Sequence, residues 1–297
     1  MNTTATQLQT SHQQKQARII TSESGRKIHA CIFHAEQAKS VVIIACAMGV
    51  NQTKYEKFAQ FLSENGHSVI TFDYFGTGKS LHTHLRDCDT DVRQWGEDDC
   101  EAVIDFAKEE FSGLALQWIG HSLGGQLLGI TRNTHYLTQA ITMCSGTGYW
   151  KYNAPKTRRS ILLMWYVISP ISITLCGYYP GKKLKVVGDL PANVLWQWRR
   201  WCLVKDYAVG VEGEEIRQRF ANVNFPITGI SFTDDDVLSK RNIDALHEFF
   251  NPNMVTRLHI NPKDIGETFI GHLGWFKDKY KQVLWQDKIL KTLNSPF

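Results

Sequence analysis

The sequence lacks most of the features that would place it outside the ordinary globular class. Its seven cysteines (31, 46, 88, 100, 144, 176 and 202) are widely scattered and include no C-x-x-C pair. That excludes a zinc knuckle or a disulfide framework and points to reduced thiols in a cytoplasmic setting. Charge of one sign is also missing: 33 Lys and Arg stand against 29 Asp and Glu, a net +4, too balanced for a nucleic-acid partner. The longest apolar run, residues 161–176, falls short of the roughly 20 residues of a spanning helix and contains Pro170. The amino terminus is Gln/Thr-rich with no apolar h-region of a signal peptide, and residues 1–16 are expected to form a disordered tail. No internal repeat is visible. With 43% hydrophobic and 21% charged residues over 297 positions, what remains is a soluble globular chain of one or two domains.

What is present is an alternation of strand and helix patterns. ARIITSE (17–23) and RKIHACIF (26–33) around Ser24-Gly25 predict an antiparallel hairpin. SVVIIAC (40–46) is continuously apolar and β-branched, as a strand covered on both faces should be. YEKFAQFLSENG (55–66) places Phe58, Phe61 and Leu62 on one helical face and ends at Gly66. Further strands are expected in 67–75, 114–120, 136–144, 224–232 and 254–260, and further helices in 98–110, 125–130, 241–250 and 276–293. This order predicts an α/β fold with a mostly parallel sheet flanked by helices.

Residues 148–203 break the alternation. They hold five of the nine tryptophans (150, 165, 196, 198 and 201) and nine Lys/Arg (151, 156, 158, 159, 182, 183, 185, 199 and 200) against Asp189 alone. The segment reads as a helical lid inserted between 17–147 and 204–297. Trp150, Trp165 and Tyr166 are its candidate substrate contacts, and Pro170 is expected to split 161–176 into two short apolar pieces. The cations predict peripheral contact with an anionic membrane. Trp196, Trp198 and Trp201 serve equally well as glue to the body.

The most specific signal is Gly120-His121-Ser122-Leu123-Gly124, followed by Gly125, between a predicted strand and a predicted helix. A sharp strand-to-helix turn exposes a serine hydroxyl, and glycines avoid clashes in it. Serine is a weak nucleophile and needs a base oriented by an acid, in the chain order Ser, acid, His. His272, in Ile270-Gly271-His272-Leu273-Gly274, is the candidate base. Thr233-Asp234-Asp235-Asp236 follows the penultimate strand, and its spacing selects Asp235 as the acid, with Asp234 as the fallback. Backbone N–H groups of Leu123 and Met48 are the candidate oxyanion donors. Nothing calls for a metal or cofactor. Gly76-Thr77-Gly78-Lys79-Ser80 ends like a P-loop, but Asp73 stands where that motif needs glycine. Asp87, Asp89 and Asp91 alternate like a calcium loop, yet Val92 replaces the turn glycine. His82 and His84 have no further ligand cluster.

These motifs, with the string Phe72-Asp73-Tyr74-Phe75-Gly76-Thr77-Gly78-Lys79-Ser80, resemble the α/β-hydrolase superfamily across residues 17–293. Ala47-Met48-Gly49, Trp95-Gly96-Glu97, Gly177-Tyr178-Tyr179-Pro180-Gly181 and Asp189-Leu190-Pro191 are similar to a group of bacterial predicted α/β-hydrolases. Monoacylglycerol lipases and serine aminopeptidase-like hydrolases are wider relatives. Two departures stand out: Phe75 where many relatives carry arginine, and Cys46-Ala47 in place of His-Gly. The resemblance implies a serine hydrolase of carboxylic esters, acyl lipids among them, working without a cofactor. Acyl transfer, thioester or peptide cleavage on the same residues, and a non-catalytic ligand-binding protein, are the alternatives, since a fold does not set its substrate.

Overall fold

The computed structural model describes residues 15–295, and in it the strand pattern closes into one eight-stranded sheet. Its strands are β1 (Lys15–Thr21), β2 (Lys27–Phe33), β3 (Ser40–Ala45), β4 (His67–Phe72), β5 (Ala115–His121) and β6 (Leu137–Met143). A two-stranded ribbon, β7 (Tyr178–Tyr179) and β8 (Leu190–Pro191), precedes the last two, β9 (Ile227–Phe232) and β10 (Val255–Ile260). The large sheet runs β1-β2-β4-β3-β5-β6-β9-β10. The expected hairpin forms β1 and β2 and joins β4 antiparallel, while every pairing from β4 to β10 is parallel.

All six residues of β3 are buried, because helices cover both faces of the central strands. Helix Glu56–Glu64 buries Phe58, Phe61 and Leu62 as its period requires, and the chain leaves it through Gly66 at φ +89°. The parallel strands all release their loops at one edge. That edge receives residues 46–49 after β3, Ser122 after β5, Asp235 after β9 and the loop holding His272 after β10. Such carboxyl ends are where open α/β sheets bind ligands.

Four expectations are corrected. Lys15 and Gln16, expected in the tail, pair with Phe33 and Ile32 in the β1–β2 hairpin; the rest of that expectation, residues 1–14, lies outside those described. Pro170 does not split the apolar run, because one helix continues from Pro155 to Cys176, 22 residues in all. A wider turn over Met164–Ile168, in which the Ser169 N–H reaches back to the Met164 carbonyl, precedes the proline and relieves the ring's clash with the preceding turn. By length and composition this helix could cross a membrane, contrary to the reading of the run as too short. The boundary expected at 204 also runs through a packed unit. Trp201 of helix Ala192–Leu203 donates to Glu212 (2.7 Å) and stacks edge-on against Tyr207, both in the next helix.

The arginine missing at position 75 has a spatial substitute. Arg26, from the β1–β2 turn, lies over the Phe75 ring at 4.8 Å and reaches Asp99 at 3.3 Å. Asp99 in turn accepts from the Phe75 N–H at 2.7 Å, which holds the loop after β4 in place.

Candidate active site

Steric necessity builds the turn at Ser122. Its backbone sits at φ 51°, ψ −108°, a conformation a non-glycine residue adopts only where the surroundings enforce it. A Cβ on Gly120 would meet Gly124 and Gly125 backbone at 2.4 Å, and one on Gly124 would meet the Ala45 carbonyl at 2.2 Å. A Cβ on Gly125 would meet Ser145 Oγ at 2.2 Å. The glycines let the strand turn into helix Leu123–Gln126 within the space left by β3 and β6.

The structure brings the three predicted side chains into one line. Ser122 Oγ–H donates to His272 Nε2 at 3.0 Å, and His272 Nδ1–H donates to Asp235 Oδ2 at 2.8 Å. Asp235 Oδ1 accepts from the Val237 and Leu238 N–H groups at 2.9 and 2.8 Å, so the carboxylate is fully used and cannot swing away. The fallback acid has another task. Asp234 accepts from the Ile270 and Gly271 N–H groups (2.7 and 3.2 Å) and pins the loop that carries His272. Asp236 is exposed.

Loop 46–49 is held without the His-Gly of its relatives. Tyr74 donates to the Cys46 carbonyl (2.9 Å), the Cys46 thiol to Phe72 O (3.2 Å), and the Ala47 N–H to Tyr55 Oη (3.1 Å). The Met48 side chain is buried, and Leu123 is the first residue of its helix, so its N–H has no carbonyl one turn back. Gly49, at φ +67°, leaves room for Gly188 of the insertion; a Cβ there would lie 2.5 Å from Gly188 N.

Two functional neighbours escaped the sequence reading. Tyr55 Oη–H donates to His121 Nδ1 (2.7 Å), whose Nε2–H donates to the His272 carbonyl (3.0 Å). This chain ties loop 46–49, the elbow and the histidine loop together. Burial, then the nearby His272, holds the His121 pKa well below its usual value, so the ring stays neutral and keeps its acceptor. The second is Cys144, buried at the end of β6 with φ 49°. One ligand atom each from Cys144, Asp235 and His272 lie within 4.8 Å of one another, a spacing a metal could use. The Asp235 and His272 atoms are already spent on each other. The φ value and the contact both need tertiary structure; no sequence signal marks them.

The substrate contacts fare differently. Trp165 is fully buried and packs inside the insertion, in an edge-on pair with Trp198 at 5.0 Å. Tyr166 points outward and carries the Arg199 guanidinium over its ring at 4.7 Å. Trp150 is half-buried, with its N–H on the Cys202 carbonyl. The motifs set aside are structural. Asp73 accepts from Gln52 and Lys79 backbone, Asp91 caps the helix beginning at Val92, and His84 caps the turn Leu85–Asp87.

The family model for serine aminopeptidase, S33, matches residues 36–172. Comparison with the curated proteins found no match. Among solved structures the chain is similar to a soluble variant of monoglyceride lipase from Saccharomyces cerevisiae, bound to a substrate analog. That pair has a TM-score of 0.67 and 16% identity, covering 97% of each chain. A thermostable carboxyl esterase from Bacillus coagulans gives 0.60 and 15%, with 94% of this chain and 98% of that one covered. An esterase from Pyrococcus furiosus gives 0.59 and 13%, over 94% and 89%. By its sheet, its strand order and these likenesses, the chain has the α/β-hydrolase fold.

Proposed function

We propose that the chain is a serine hydrolase of carboxylic esters. One observation carries this reading: Ser122, His272 and Asp235 form an unbroken hydrogen-bonded line at 3.0 and 2.8 Å. His272 Nε2 takes the Ser122 proton as Oγ attacks the ester carbonyl, and Asp235 stabilises the imidazolium that results. The Met48 and Leu123 N–H groups receive the oxyanion. His272 then returns its proton to the leaving alkoxide, and water, activated the same way, releases the acid and restores Ser122. The insertion acts as a lid, supported by the close approach of Gly188 to Gly49 beside Met48. A cytoplasmic location fits the seven free thiols.

The test is fluorophosphonate labelling of the wild type and Ser122→Ala, followed by a p-nitrophenyl ester series of increasing chain length. Labelling confined to the wild type, with ester turnover, supports the reading. A wild type that neither labels nor turns over assigns the fold to ligand binding, and labelling without ester turnover moves the reaction to amide, thioester or acyl transfer.

A further inference from the structure

The helix Pro155–Cys176 is apolar enough to cross a membrane, yet its place in the fold forbids it. Both ends are fastened to the body: the Ala154 N–H bonds the Val237 carbonyl, and Gly177 lies so near Arg86 that a Cβ on it would stand 2.8 Å from the Arg86 Cβ. One face is buried through Ile161, Met164, Trp165 and Ser169. The other is not. Leu163, Val167, Ile171 and Leu175 follow one another at four-residue steps, with Tyr166 three residues after Leu163, and all are exposed, Leu163 at 54%, Ile171 at 55% and Leu175 at 78%. Just 17% of the apolar window of this helix is buried. A contiguous apolar stripe of this kind on a folded body is an interaction surface.

Charge at its two ends indicates what covers it. Lys156, Arg158 and Arg159 are exposed in the first turns of the helix. Lys182, Lys183 and Lys185 are exposed beyond its far end, beside the exposed Leu184 and Val186. Of these six cations, Lys182 alone has an acidic partner among the described residues, Asp189 at 3.8 Å. An apolar stripe bracketed by six cations, five of them without an acidic partner among the described residues, is complementary to a surface that is apolar below and anionic above. A second copy of the chain would bring the same cations against these and repel.

We infer that this helix lies in the plane of an anionic phospholipid bilayer, its exposed stripe in the acyl boundary and both cation groups at the phosphates. The inference is independent of the proposed chemistry at Ser122. It is tested by co-sedimentation with vesicles of phosphatidylcholine and of phosphatidylcholine with phosphatidylglycerol. The wild type is expected to pellet with the anionic vesicles and to be released in about 1 M salt, where the screening length is about 3 Å. Arg158→Glu/Arg159→Glu should weaken binding about tenfold or more. Leu163→Ser/Ile171→Ser/Leu175→Ser should remain in the supernatant while keeping the wild-type circular dichroism and p-nitrophenyl acetate turnover. Wild type left in the supernatant, or equal binding to neutral vesicles, overturns the inference. Resistance to carbonate extraction overturns the in-plane placement. Concentration-dependent dimers that the triple variant abolishes, without vesicle binding, assign the stripe to a second copy instead. A wild type that neither turns over acetate nor takes the fluorophosphonate label refutes the Ser122 reading and leaves the vesicle result standing.

Discussion

The elbow around Ser122 and the outer helix Pro155–Cys176 are opposite solutions to the placement of side chains. At the elbow there is no spare volume: Gly120, Gly124 and Gly125 each have backbone or a side chain at 2.2–2.4 Å from where a Cβ would stand. On the outer helix Leu163, Ile171 and Leu175 touch little of their own chain. The inner part of the same insertion sides with the elbow. Trp201 is fully buried, and Gln197 reaches the body to accept from the Val92 and Arg93 N–H groups at 2.7 and 3.0 Å. The line between dictated and free positions thus runs through the insertion and not around it.

The largest effects should fall on the crowded side. Ser122→Ala and Asp235→Asn should each lower ester turnover about 10³–10⁴-fold, whereas Asp234→Asn, which loosens the His272 loop, should cost much less. Steady-state kinetics on one p-nitrophenyl ester reads all three; an Asp234 variant as damaged as Asp235→Asn would break the assignment of the acid. Next is Trp201→Ala, expected to cost about 3–5 kcal/mol in urea denaturation, through a lost buried ring and an orphaned Glu212 contact. A cost under about 1 kcal/mol would place the inner helix with the outer one.

A pH-dependent effect follows at Asp99. Burial pushes its carboxyl up to about 7 from 3.8, with Arg26 pulling it down. Between those values the folded chain holds a proton that the unfolded chain has released. This group's contribution therefore falls as pH rises through that window and is level above it. Denaturation midpoints from pH 4 to 8 should lose that slope in Asp99→Asn. An unchanged slope would exclude Asp99 as its source. The smallest effect belongs to the outer helix: Leu175→Ser should change stability by no more than about 0.5 kcal/mol, because the folded chain leaves most of the residue exposed.

Much of this was legible in the residues alone. β-branched runs such as Val41–Ile44 can only be doubly covered strands, and the Gly-His-Ser-Leu-Gly string admits few geometries. Spacing also singled out, among three neighbouring aspartates, the one whose carboxylate meets His272 Nδ1, since a single-residue shift turns a side chain away. Local chemistry is sufficient where the backbone itself is the constraint. The rest depended on which partner arrived. Nothing in the sequence tells that Asp234 would hold Ile270 and Gly271, that Tyr55 and His121 would join three loops, or that Arg26 would stand over Phe75. Nor does it tell that Trp165 faces in while Tyr166 beside it faces out, or that a wide turn would carry the helix past Pro170. Periodicity says which residues share a face. Which face meets protein is decided by the free energy of packing the whole chain, and that exists only once the chain has folded.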